Sequence, residues 1–105
     1  MRAYSIYTIT DDSGLVIYVG CTSGSLKERL WAHKNEAKKF ALGIKVYNKE
    51  KAMSIIENDF NVVINPVESI LVYDWKYVQR REEWWIRYFE SQGMPIKNKL
   101  RICEY

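Results

Sequence analysis

The chain has 105 residues, 48% of them hydrophobic and 28% charged, with a formal net charge of +3. That length holds one domain, so residues 1–105 are read as a single unit, and the composition excludes an intrinsically disordered chain. One His and two widely spaced Cys, Cys21 and Cys103, exclude a four-ligand zinc site.

Arg2–Thr10 and Leu15–Gly20 are rich in Tyr, Ile, Val and Thr and predict two strands. Asp11-Asp12-Ser13-Gly14 between them is a turn signal, so the pair reads as a β-hairpin. If Thr10 pairs with Leu15, Tyr7 stands directly opposite Tyr18 and the two phenols share one face of the sheet. After a loop over Gly20–Gly24, Ser25 and Glu28 form a capping box for a helix from Leu26 to about Phe40. Its apolar stripe is Leu26, Leu30, Ala37, Phe40 and Ala41, and Gly43 closes it. Lys49–Asn58 predicts a weaker helix with Ala52, Met53 and Ile56 on one side. Phe60–Ile64 reads as a short strand or an extended connection, and Pro66 leads into a strand over Val67–Tyr73. Asp74 caps a last helix from Trp75 to about Ser91, closed by Gly93 and Pro95. Ile96–Ile102 forms a tail, either short strand or coil. The order β-β-α-(α)-β-α predicts the α+β class: a small antiparallel sheet of about three strands flanked by helices.

The spacing of Cys21 and Cys103 does not demand a disulfide, and reduced thiols are the simpler reading. No apolar run approaches the roughly 18 residues of a membrane span, and the opening Met-Arg-Ala-Tyr-Ser lacks the apolar region of a signal peptide. A cytoplasmic domain without a membrane partner is expected. The net charge is too mild to imply a nucleic-acid partner by itself, so the placement of the charges matters more.

Chemistry-bearing residues stand out on two helices. On the last, Val78, Trp85, Ile86 and Phe89 make an apolar stripe, and Glu82 falls inside it, whereas Glu83 lies on the flank with Lys76, Gln79, Arg80, Arg87 and Glu90. A carboxylate on an apolar face needs a charged or metal partner. Glu82 is therefore either half of a structural salt bridge to a nearby Arg or a metal-binding or catalytic carboxylate. On the first helix, Arg29 and His33 are four apart beside the apolar stripe, a pairing suited to phosphate. Taken alone, the Arg29–His33 pair reads first as a solvated helix flank with an incidental histidine. Lys27, Lys34, Lys38 and Lys39 make the same helix basic.

Together, Ser5-Ile6-Tyr7, Tyr18-Val19-Gly20, Arg29, His33, a Glu before Trp85-Ile86, and Asn98 resemble the GIY-YIG nuclease family over residues 4–98. Two departures are Ser5, where the first motif has glycine, and Cys21, where relatives often carry Lys or Gln. The resemblance implies a single-metal endonuclease that hydrolyses DNA phosphodiester bonds. It makes Tyr7, Tyr18, Arg29, His33 and Glu82 the expected catalytic residues. Glu82 is the expected ligand of Mg²⁺ or Mn²⁺, and Arg29, His33 and Asn98 are expected substrate contacts. Tyr7 is the expected general base or water-orienting group. Since a free phenol has a pKa of about 10, Arg29, the metal or the substrate complex must lower it. Asn98 is expected to orient Glu82 or the backbone rather than to do chemistry. A homodimer or a protein partner for targeting is left open.

Two other classes compete. A non-catalytic nucleic-acid-binding module could use the same face, although it would not need an acid beside a phosphate. An interaction domain leaning on Trp31, Trp84 and Trp85 accounts for the aromatics but not for Glu82.

Overall fold

Asp11 builds the first turn. Its Oδ1 accepts hydrogen bonds from Ser13 N, Ser13 Oγ and Leu15 N, each 2.9 Å, and Gly14 closes the turn at φ +88°. In the computed structural model, which describes residues 1–98, this turn joins β1 (Arg2–Thr10) to β2 (Val16–Thr22). Then follow α1 (Leu26–Ala41), α2 (Lys49–Glu57), β3 (Val63–Val72) and α3 (Trp75–Ser91). The sheet is antiparallel, three-stranded and ordered β2-β1-β3. The protein is thus α+β, as the sequence predicts.

The hairpin register differs from the expected one. Tyr7 pairs with Gly20 and Ile9 with Tyr18, because a bulge beside Ile9 and Thr10 leaves Ile17 without a partner on β1. The shift moves Tyr18 two residues along from the expected pairing, which preserves parity, so Tyr7 and Tyr18 still share a face. A second correction concerns β3. The sequence splits it at Pro66, yet one strand runs straight through. Proline is tolerated on edge strands and at bulges, and Pro66 has both: β3 is an edge, and its register with β1 shifts between Ile6 and Tyr7.

The helix ends follow their capping chemistry. Ser25 accepts from Glu28 N at 3.1 Å, Asp74 from Lys76 N at 2.9 Å, and Asn48 starts α2 by accepting from Lys51 N at 3.0 Å. Gly43 (φ +87°) and Gly93 (φ +79°) take the left-handed conformation just after α1 and α3.

Alternation along β1 sorts the core into two layers. Tyr7 and Ile9 face α1 and α2, where they pack with Ile17, Ala37, Ala52, Ile55 and Val62. Ile6 faces α3, packing with Val16, Val19, Ile70 and Val78, and Trp85, Ile86 and Phe89 close over that layer. The α2 stripe falls one position from the expected one: Lys51, Ala52, Ser54 and Ile55 are buried and Met53 is exposed. Ala41, expected on the α1 stripe, is likewise exposed at the helix end. The segment after α3 runs along the outer edge of β2, where Lys97 N donates to Ile17 O. The rest of the expected tail, with Cys103, lies outside the described residues. Among the described residues, no helix is long and apolar enough to cross a membrane.

Candidate active site

The site starts from a residue without a side chain. Gly20 sits opposite Tyr7, and a Cβ on it would collide with the Tyr7 hydroxyl and lie 2.5 Å from ring carbon Cζ. Only glycine leaves room for the Tyr7 ring here, with its hydroxyl turned toward α1. Tyr18 flanks it, the two ring centroids 6.4 Å apart.

Helix α1 brings two nitrogen groups to that hydroxyl. Arg29 Nε donates to Tyr7 Oη at 3.1 Å, and His33 Nε2 lies 2.7 Å from it. The His33 ring also meets Tyr18 edge-on at 5.2 Å. Tyr7 is fully buried and His33 is 2% exposed, whereas Arg29 is exposed and lies on the solvent side of the phenol. Tyr7, Tyr18, Arg29 and His33 are therefore gathered into one cluster between the sheet and α1.

The sequence missed a fifth member. Lys51 of α2 is only 4% exposed, and its Nζ lies 2.8 Å from His33 Nδ1 and 3.3 Å from Glu36 Oε1. The same ammonium sits 4.9 Å from the Tyr18 ring centroid. The expected stripe of Ala52, Met53 and Ile56 gave no sign of it, since the buried face of α2 runs through Lys51, Ala52 and Ile55 instead.

Burial and charge act on these groups in opposite ways. Burial lowers the His33 pKa to about 3, with the Lys51 and Arg29 charges adding to the effect, so the ring is neutral at pH 7. Burial lowers Lys51 too, while the Glu36 carboxylate works against it. Tyr7 moves up rather than down: burial and the neighbouring Tyr18 outweigh the lowering by Arg29. Arg29 acts on Tyr7 in the expected direction, but desolvation is the larger effect in the protein by itself. Both nitrogens of His33 lie against protein groups, so what His33 offers the site is a contact to Tyr7.

Glu82 belongs to the other layer. It is 2% exposed on α3, within the stripe of Val78, Trp85 and Ile86. Two neighbouring arginines are engaged by other carboxylates, Arg81 by Glu68 at 2.9 Å and Arg87 by Glu83 at 2.5 Å. Glu83 is thus a surface partner, as its flank position predicts. Cys21 links the layers: it packs on the α3 side and also adds to the raised pKa of Tyr7. Asn98 turns its amide to the backbone of Val19, its Oδ1 accepting from Val19 N at 3.0 Å and its Nδ2 donating to Val19 O at 2.7 Å. It extends the β2 edge as a strand would.

Among the described residues, no group of three or more His, Cys, Asp and Glu gathers to hold a metal ion. Mg²⁺ keeps several waters and often takes only one or two carboxylates, and the carboxylate expected to hold it, Glu82, is 2% exposed on α3. Comparison with models of protein families, with curated proteins and with solved structures finds no match to this chain.

Proposed function

We propose that this chain is a divalent-metal-dependent endonuclease domain that hydrolyses DNA phosphodiester bonds. The observation that carries this reading is the Tyr7 hydroxyl, which takes a hydrogen bond from an exposed arginine and is braced from behind by a buried histidine. Plain core packing does not need two nitrogen groups on one phenol oxygen.

Each residue has a definite task in this reading. Arg29 spends one N–H on Tyr7, and its guanidinium has four more for a non-bridging phosphate oxygen and the charge that develops there. The Tyr7 hydroxyl, beside the phosphate that Arg29 holds, orients the attacking water; to act as base it must first release its own proton to solvent and accept the water's proton as phenolate. The Arg29 charge, and that of a metal when bound, would oppose the burial that raises the Tyr7 pKa. Tyr18 walls the phenol and His33 supports it. Glu82 is the residue that would hold Mg²⁺ or Mn²⁺, which when bound supplies Lewis acidity and neutralises charge on the phosphoryl oxygens.

The test is nicking of supercoiled plasmid and of a branched DNA with Mg²⁺, with Mn²⁺ and with EDTA. Metal-dependent cutting is expected in the wild type and in Glu83→Ala, and is expected to be lost in Glu82→Ala. Arg29→Ala is expected to lower the rate by about 10²–10³-fold. One observation favours a second reading, a nucleic-acid-binding module without catalysis: Tyr7 is buried and burial holds it protonated. Salt-sensitive DNA binding with no cutting under any metal condition would select that reading and overturn the nuclease.

A further inference from the structure

Lys51 is a buried cation for which the roles assigned above have no use. An ammonium carries three donors and no acceptor, so at 2.8 Å from Lys51 Nζ the Nδ1 of His33 must accept. A neutral imidazole has one N–H, which that contact places on Nε2. Nε2–H then donates to Tyr7 Oη at 2.7 Å, alongside Arg29 Nε–H at 3.1 Å. With its oxygen accepting twice, the Tyr7 hydroxyl turns its own proton away from both donors. Glu36, 3.3 Å from Lys51, is the carboxylate that keeps this buried amine charged.

We propose that Lys51, anchored by Glu36, is a positioning residue that locks neutral His33 in its Nε2–H tautomer and so fixes the direction of the Tyr7 hydroxyl proton. His33 is then a donor to Tyr7 and never the acceptor of its proton, so no proton passes inward from the phenol through the imidazole. The tautomer lock stands on the geometry alone, and only its consequence for cutting rests on the nuclease reading. The charged or titratable groups around the pair come from every element that packs there: Tyr7 from β1, Tyr18 and Cys21 from β2, Arg29 and Glu36 from α1, and Lys51 itself from α2. Burial and the two neighbouring cations keep the imidazole unprotonated.

The chain has a single histidine, so the ¹⁵N resonances of one imidazole report the tautomer without ambiguity. In the wild type, an Nε2–H signal and an unprotonated Nδ1 are expected throughout pH 5–8. An Nδ1–H tautomer, or a mixture, in the wild type overturns the proposal, and this measurement needs no variant to fold. Lys51→Met keeps the buried stem and removes the donor. In that variant His33 is expected to populate both tautomers and to begin titrating above pH 5. An unchanged tautomer and titration in a folded Lys51→Met, judged by its amide spectrum, also overturns the lock. For catalysis, Lys51→Met is expected to lower kcat for plasmid nicking by about 10-fold or more with KM unchanged, and to alter the pH profile. An unaltered kcat and profile overturns the catalytic role, whereas a wild type that locks His33 but cuts no DNA overturns the nuclease reading and leaves the lock intact.

Discussion

The absence of one methyl group decides where the Tyr7 ring lies. In Gly20→Ala the new Cβ collides with the phenol hydroxyl and ring carbon Cζ, so the ring is expected to swing away and give up Arg29 and His33 together. Overpacking of this kind costs about 1–3 kcal/mol. The expected result is a lowered urea midpoint with an unchanged m-value, and loss of nicking beyond what the stability change explains. Gly24, which has no comparable neighbour, is the control: Gly24→Ala is expected to leave both readouts near wild type. The functional weight of Gly20 is visible in the sequence only through the motif resemblance, because the pattern around Tyr18 does not say which β1 residue lies opposite.

Between elements, Glu68 does for α3 what the apolar stripe alone cannot. Its carboxylate accepts from Arg81 Nε at 2.9 and 3.2 Å and from Trp85 Nε1 at 2.8 Å, tying the helix to β3 at a defined point along its length. Glu68→Ala leaves the indole N–H and the guanidinium without their acceptor, at a cost of about 1–3 kcal/mol. Glu68→Gln should recover part of this, since an amide oxygen still accepts from the indole. Chemical denaturation followed by Trp fluorescence measures both. The same scale separates what was readable from what was not. Ser25, Asp74, Gly43 and Gly93 set helix ends by local chemistry, and their positions agree with the structure. The unpaired Ile17 and the bulge beside Pro66 depend on the partner strand, and no local pattern announces them.

For the whole molecule, the buried site makes stability depend on pH. His33 titrates near 6.5 when unfolded and at about 3 when folded, so below pH 6.5 the unfolded chain binds a proton that the folded protein excludes. Stability is full above pH 6.5 and falls as pH drops toward 3, by about 1.4 kcal/mol per pH unit once well below the upper value. Denaturant unfolding between pH 7 and 5, where few carboxylates titrate, should show this slope. His33→Gln should flatten it, and an equal slope in that variant would show that another group carries the proton.

The sequence by itself determined the class of fold, the order of its elements and the helix caps, because strand composition, helical periodicity and capping are short-range properties of the chain. It also singled out Tyr7, Tyr18, Arg29, His33 and Glu82 as candidate site residues. Only the tertiary structure decided how the first four meet: a bulged register places Tyr7 over Gly20, and the packing of α1 on the sheet brings Arg29 and His33 to one hydroxyl. It also decided that Lys51 joins them. A lysine in a weak amphipathic helix reads as solvent-facing until α2 packs against α1 and β2, where Glu36, His33 and the Tyr18 ring together make burial of its charge tolerable.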